Sequence, residues 1–250
     1  MKHGRAAVAL ALLSTDVLAG SVQVFPSGPS VPENLLHIEL RLPRPLPRAL
    51  DMRHVTLLDA AGQVLPGALL DLPLPSADGR RLTLLLHPGR VKSGLVAHEQ
   101  LGLALKAGDS VTLRIDDPAL GPALRKTWQV TAADRAAPEP ARWRIAAPRA
   151  GSVAALMVRL DAAVSASGEG LMAVRGPDGL RLAGRPQLLD AETGWRFVPA
   201  QPWAAGRYTL MVHPDLEDAA GNRACALFEM RGNSHRACGE GQALPFEVKP

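Results

Sequence analysis

Few residues of this chain could do chemistry, and their spacing assembles no familiar site. Cys225 and Cys238 are its two thiols. In an exported chain, which the N-terminus indicates below, an even count favours a disulfide, worth about 3 kcal/mol in the chain-entropy account. Two free thiols, or half of a metal site, are the alternatives. Neither Cys-x-x-Cys nor Cys-x-His spacing occurs, and one thiol pair would need two more ligands to hold zinc. Among the seven histidines, His37 stands two residues from Glu39. On a strand that spacing puts both on one face, where a neighbouring strand could complete a metal chelate. No third ligand is placed, so the simpler reading is a solvated polar face. His87 and His213 each precede a proline at a strand end, a loop-start pattern.

Asp215, Glu217, Asp218 and Asn222 gather oxygens in one turn, with Asp116 and Asp117 a thinner version earlier in the chain. Calcium wants about 6–8 oxygens. The spacing is not that of an EF-hand, and an acidic turn accounts for it. No Gly-x-Ser-x-Gly occurs; Ser27 and Ser30 sit in Pro26-Ser27-Gly28-Pro29-Ser30, a turn and not a nucleophile elbow. Nothing places two carboxylates across a cleft for glycoside hydrolysis. The expectation is therefore a non-enzyme with no catalytic residue, no cofactor and no metal.

The charge balance excludes another class. Lys+Arg number 28 against 24 Asp+Glu, and the basic residues are scattered. Nucleic-acid binding needs a basic stripe with interleaved aromatics, so no nucleic acid is expected. The densest patches, Arg80-Arg81, Arg90-Val91-Lys92 and Arg125-Lys126, read as solvated strand ends and loops.

Residues 1–19 read as a targeting segment. Lys2 and Arg5 precede the apolar run Ala6–Leu13, and Val17 and Ala19 are small enough for signal peptidase, with cleavage after Ala19. A frayed strand or helix is the alternative. Ser21 stands where a lipidated cysteine would have to be, so no lipid anchor is expected. No other apolar run approaches the ~20 residues of a membrane span. The expected location is the periplasm or the extracellular space.

The elements that must position these side chains are strands. Proline (22) and glycine (23) punctuate the chain too often for long helices. Leu36, Ile38, Leu40 and Leu42 alternate with His37, Glu39 and Arg41; the same period recurs at Leu82–Leu86, Val111–Ile115, Leu156–Leu160 and Tyr208–Val212, and Phe246 and Val248 close the chain. Each such run is a half-buried strand. Turn signals at Gly62, Asp78-Gly79, Gly108-Asp109, Asp178-Gly179 and Gly221-Asn222 separate them. Many short strands at this spacing imply an all-β sandwich architecture. The strand order repeats after about 110 residues, a duplicated domain and not a solenoid. Ala132–Ala141, with Pro138 and Pro140, is the joint. The expected plan is a signal peptide (1–19) and two tandem immunoglobulin-like β-sandwiches (20–137 and 138–250), the second with a disulfide-tied insertion.

The second half resembles the bacterial Ig-like domain of the S-layer SbsA type. Pro202-Trp203-Ala204-Ala205-Gly206-Arg207-Tyr208-Thr209-Leu210 looks like that family's strand start, Asp218-Ala219-Ala220-Gly221-Asn222 like its Asp-x-Ala-Gly-Asn turn, and Gly176-Pro177-Asp178-Gly179 like its early hairpin. These motifs cover most of residues 150–250. The first half shares the layout, with Val111 near the tyrosine position and Pro122 after Gly121. Residues 223–244 form an insertion before the last strand. The resemblance implies a spacer, adhesive or accessory role. Tyr208 beside the Gly206 corner fits a tyrosine corner or a plain cross-strand aromatic.

Trp128, Trp143 and Trp195 read as core; Trp203, after Pro202, is the aromatic expected to be exposed. Arg231, His235 and Arg236, between the cysteines, join Trp203 as candidate partner contacts. The expected function is an exported, non-catalytic structural or binding module, its partner an unidentified envelope protein or glycan. A carbohydrate- or metal-binding accessory protein is the alternative, followed by a hydrolase whose site would need a cleft with at least two titratable groups, for instance at the interdomain seam.

Overall fold

The computed structural model describes residues 20–91, 96–224 and 241–250. Residues 1–19, expected above to be a targeting segment, lie outside these residues, as do Lys92, both cysteines, Arg231, His235 and Arg236.

The first half contains β1 (Gln23–Phe25), β2 (Ser30–Pro32), β3 (His37–Arg41), β4 (Val55–Leu58), β5 (Leu69–Pro75), β6 (Arg81–Leu86), the short helices α1 (Pro88–Val91) and α2 (Val96–Leu101), β7 (Ser110–Ile115) and β8 (Leu124–Thr131). One sheet runs β1-β3-β6-β5 and the other β2-β8-β7-β4. The second half contains β9 (Arg144–Ala146), β10 (Leu156–Arg159), β11 (Met172–Arg175), β12 (Gly184–Leu189), β13 (Gly194–Pro199), β14 (Gly206–Val212) and β15 (Gln242–Val248). Its sheets run β9-β10-β13-β12 and β11-β14-β15. Lettered in chain order, the second half is ABED facing CFG, the arrangement of an immunoglobulin constant-type domain. The first half differs by β2, which leaves the first sheet to pair parallel with β8. The protein is all-β in class, and its strand order is Ig-like in both halves.

Alternation explains the sandwich. Val111, Leu113 and Ile115 point inward along β7, as do Leu82, Leu84 and Leu86 along β6; these residues from opposite sheets share one core with Trp128. Leu156, Val158, Tyr208, Leu210 and Val212 build a second core around Trp195. Turns at Gly179 (φ 79°) and Gly221 (φ 80°) occupy the left-handed region, which glycine enters without a Cβ clash.

Five strands carry no alternation signal. β1, β2 and β9 have three residues each, too few to show a period. β5 holds Pro73 and Pro75 and shifts register between Leu69 and Pro73; β12 holds Pro186. β1, β5, β9 and β12 are edge strands, where proline is tolerated because one side of the backbone needs no ladder partner.

The Ala132–Ala141 joint is pinned. Asn34 Nδ2 donates to the Asp134 carbonyl (2.8 Å), Asp134 N donates to Asn34 Oδ1 (2.8 Å), and Asn222 Nδ2 also donates to the Asp134 carbonyl (3.1 Å). Farther on, Asp161 accepts from Glu139 N (3.1 Å) and Trp143 Nε1 (2.8 Å).

Candidate functional site

The polar face of β3 is not solvated, which corrects the sequence expectation. His37 is 7% exposed and Glu39 5%. The second half covers them: Ser167 N donates to Glu39 Oε1 (3.1 Å), and His37 Nε2 lies 3.4 Å from the same oxygen. Burial pushes the Glu39 carboxyl up. His37, the Ser167 amide and Arg81 together outweigh burial and hold it below the ordinary value. Arg41, next on that face, pairs with Glu169 across the seam (3.3 Å) and lies over the Phe25 ring. Glu169 also accepts from Leu188 N (3.0 Å), which caps an outward amide of the β12 edge. Leu36 N donates to the Ala219 carbonyl (2.9 Å).

Ser27 belongs to this seam as well. Its N–H (3.0 Å) and Oγ–H (2.5 Å) both donate to the Glu192 carboxylate, which is 3% exposed. Pro26–Pro29 is thus the bend between β1 and β2, with a docking role that no local signal announced, whereas Ser30, expected in the turn, opens β2. Above it opens a cleft of about 490 Å³ between the halves. Arg41, Arg125 and Lys126 line it from the first half; Glu169, Gln187, Asp190 and Glu192 line it from the second. Lys126 donates to the Ser27 carbonyl (2.7 Å).

The acidic turn folds on itself. Asp218 Oδ1 accepts from Ala220 N and Asn222 N, and Oδ2 accepts from Asn222 Nδ2. Asp215 and Glu217 pair with Arg223. The oxygens proposed for a cation therefore already hold protein donors. Burial pushes the Asp218 carboxyl up to about 6, aided by nearby Asp134 and opposed by the Asn222 and Ala220 hydrogen bonds. A folded-state value above the unfolded one favours the protonated native form. The stabilisation is complete below about 3.8 and is lost as pH rises through about 6, on the order of 3 kcal/mol. Urea titrations across that window should show this slope, and Asp218→Asn should abolish it. An unchanged slope in the variant would assign the effect elsewhere.

In the first half Asp117 is 1% exposed and Asp116 pairs with Arg114 (2.8 Å). Asp117 accepts from both Arg48 guanidinium nitrogens (3.1 and 2.5 Å), Asp51 N (2.9 Å) and Ala119 N (2.8 Å). The two His-Pro sites are turn devices: His87 Nδ1 accepts from Gly89 N and His213 Nδ1 from Asp215 N. Among the described residues no group of three or more His, Cys, Asp or Glu could hold a metal ion, and no helix is long and apolar enough to cross a membrane.

Three further expectations are corrected. Trp203 is buried, at 2% exposure: its indole lies between Phe197 of one sheet and Tyr208 and Phe246 of the other and donates to the Ala154 carbonyl (2.8 Å). A position beside a strand start does not expose a ring that caps the end of a core. Arg90 is also buried, at 4%, and ties the Pro66 and Leu103 carbonyls. The Cys225–Cys238 disulfide is withdrawn: no disulfide bond is present among the described residues, and both cysteines lie outside them. Val158 on β10 and Leu210 on β14, the B and F strands, close the second core by packing. Tyr208 settles as a tyrosine corner, its hydroxyl donating to the Ala204 carbonyl four residues upstream (3.0 Å).

No family model matches the chain, and no curated protein matches it. Among solved structures it is similar to a chimeric titin Z1Z2 functionalized with a KLER peptide from decorin: 13% identity, 92% of this chain, 89% of that chain, TM-score 0.27. It is likewise similar to domains 5-6 of the S-layer protein SbsC: 10%, 92%, 96%, TM-score 0.28. A third is the Ig1-2 module of Drosophila receptor protein tyrosine phosphatase DLAR: 12%, 93%, 92%, TM-score 0.22. TM-scores this low leave the fold class to rest on the strand order itself. The resemblance is cut back, from the SbsA type in particular to an Ig-like sandwich in general.

Proposed function

We propose that the chain is an exported, non-catalytic module of the cell envelope, a stiff spacer or binding unit made of two tandem Ig-like sandwiches, residues 20–137 and 138–250, behind a signal peptide of residues 1–19. One observation carries the reading. The buried carboxylates Glu39, Asp117, Glu192 and Asp218 are all engaged in holding backbone amides or side chains of the fold, and none stands free as an acid or base. The SbsA-like motifs support an envelope role. Arg231, His235 and Arg236 remain the proposed partner contact. The reading predicts that material recovered from the periplasm or medium begins at or near Gly20. N-terminal sequencing tests it, and an intact Met1 on exported protein defeats it. Photo-crosslinking in envelope extracts should then capture a partner that the Arg231→Ser/Arg236→Ser variant loses.

A second reading, a glycan site in the seam cleft, has one observation in its favour. The cleft has the volume of a small-ligand site, and the Arg125 guanidinium and Asp190 carboxylate on its opposite walls have no partner among the described residues. A glycan array followed by Arg125→Ser decides it: binding that Arg125→Ser leaves intact is not in this cleft.

A further inference from the structure

The loop joining β12 to β13 holds three consecutive non-glycine residues in the left-handed region: Asp190 (φ 51°), Ala191 (φ 54°) and Glu192 (φ 64°). A Cβ clashes with the backbone there, so such residues are uncommon singly and rare in a row. Glu192 recovers some of that cost through the hydrogen bonds its carboxylate accepts from Ser27, but Ala191 cannot. A conformation of this kind persists only where its surroundings over-determine it. What surrounds this one is the other half of the molecule. Ser27 gives both its donors to Glu192, and Lys126 holds Ser27 through its carbonyl. Gly28 lets the tip approach closely, since a Cβ there would stand 3.2 Å from Ala191 Cβ. Inside its own half, the tip is tied by Val164 N to the Glu192 carbonyl (3.2 Å) and by Thr193 Oγ1 to the Asp190 carbonyl (2.7 Å).

We propose that this hairpin is a latch between the two sandwiches: docking of Glu192 on Ser27 holds its tip left-handed, and the docked tip locks into one rigid body the halves that the Glu39–Ser167, Arg41–Glu169 and Leu36–Ala219 contacts bring together. The cost sits on one side of the seam and the compensation on the other, so the contact does not loosen gradually. Without Ser27 the Glu192 carboxylate is buried and short of donors, which favours its return to water. The freed tip then leaves the left-handed region, and the docked geometry is lost with it. Leu188, Leu189 and Asp190 also line the seam cleft, so an open latch would widen that cleft. The proposal concerns the mechanics of the seam and is independent of what the module binds.

Residual dipolar couplings on the full chain test it. In the unmodified chain both halves fit one alignment tensor, and the Ala191 carbon shifts report a left-handed residue. In Ser27→Ala/Glu192→Ala the halves should require separate tensors, and the Ala191 shifts should lose their left-handed signature. If either observable stays as in the unmodified chain, the latch is overturned. Ser27→Ala alone, which removes only the Oγ donor, serves if the double variant does not fold and should move both observables in the same direction; no movement overturns the proposal. Asp190→Gly, which accepts the native backbone without the Cβ clash, should keep a single tensor, and separate tensors in that variant would show that the tip's conformation is not what docking holds.

Discussion

Trp195→Ala is expected to destabilise the second sandwich by about 3–5 kcal/mol, enough to consume much of a small domain's stability. The ring has no solvent exposure, stacks on Phe197 with centroids 6.0 Å apart, and donates from Nε1 to the Glu169 carbonyl (3.3 Å). Truncation leaves a large void between sheets that cannot collapse, and removes the donor from the residue whose carboxylate caps β12 and pairs with Arg41. The loss should therefore reach the seam as well as the core. Urea unfolding followed by signals from each half would show the second transition moving to much lower denaturant. A shift worth less than about 1 kcal/mol would mean the ring does not organise this core.

Asp117→Ala should cost the first sandwich about 2–4 kcal/mol. The carboxylate, itself 1% exposed, caps the short turn at Pro118–Leu120 by accepting from Ala119 N and also accepts from Asp51 N. Its removal orphans two amides. Arg48 contributes less to the loss, because its side chain is half exposed and recovers hydration. Burial pushes the Asp117 carboxyl up, but the two amides and Arg48 prevail and hold it below its ordinary value. The sign is thus opposite to that at Asp218. Stabilisation by Asp117 is present above about 3.8 and is lost as pH falls through the lower folded-state value. Mild acidification toward pH 4 should strengthen the second half before further acid weakens the first. Asp117→Asn, which keeps one acceptor oxygen, should lose less than the alanine variant; equal losses would show that the capping hydrogen bonds are not the source.

The sequence by itself determined the strands that alternate, and with them the class. β6, β7 and β14 fall where the alternation of Leu82–Leu86, Val111–Ile115 and Tyr208–Val212 places them, because alternation is written in adjacent residues and one buried face is enough to produce it. The Asp218–Asn222 and Asp178-Gly179 turns were legible for the same reason. What stayed illegible was long-range. His37 and Glu39 read as a wet face because nothing nearby in the chain covers them; their cover comes from Ser167, |i−j| = 128 from Glu39. Trp203 reads as exposed until the sheets close over it. The Ser27–Glu192 contact joins residues with |i−j| = 165. Neither the serine of a proline-rich turn nor the glutamate of an acidic hairpin carries a local mark of the other. Periodicity chooses which side of a strand faces a core, whereas only the packing of one sandwich on the other decides which polar groups leave water, and so where the seam, its cleft and its latch lie.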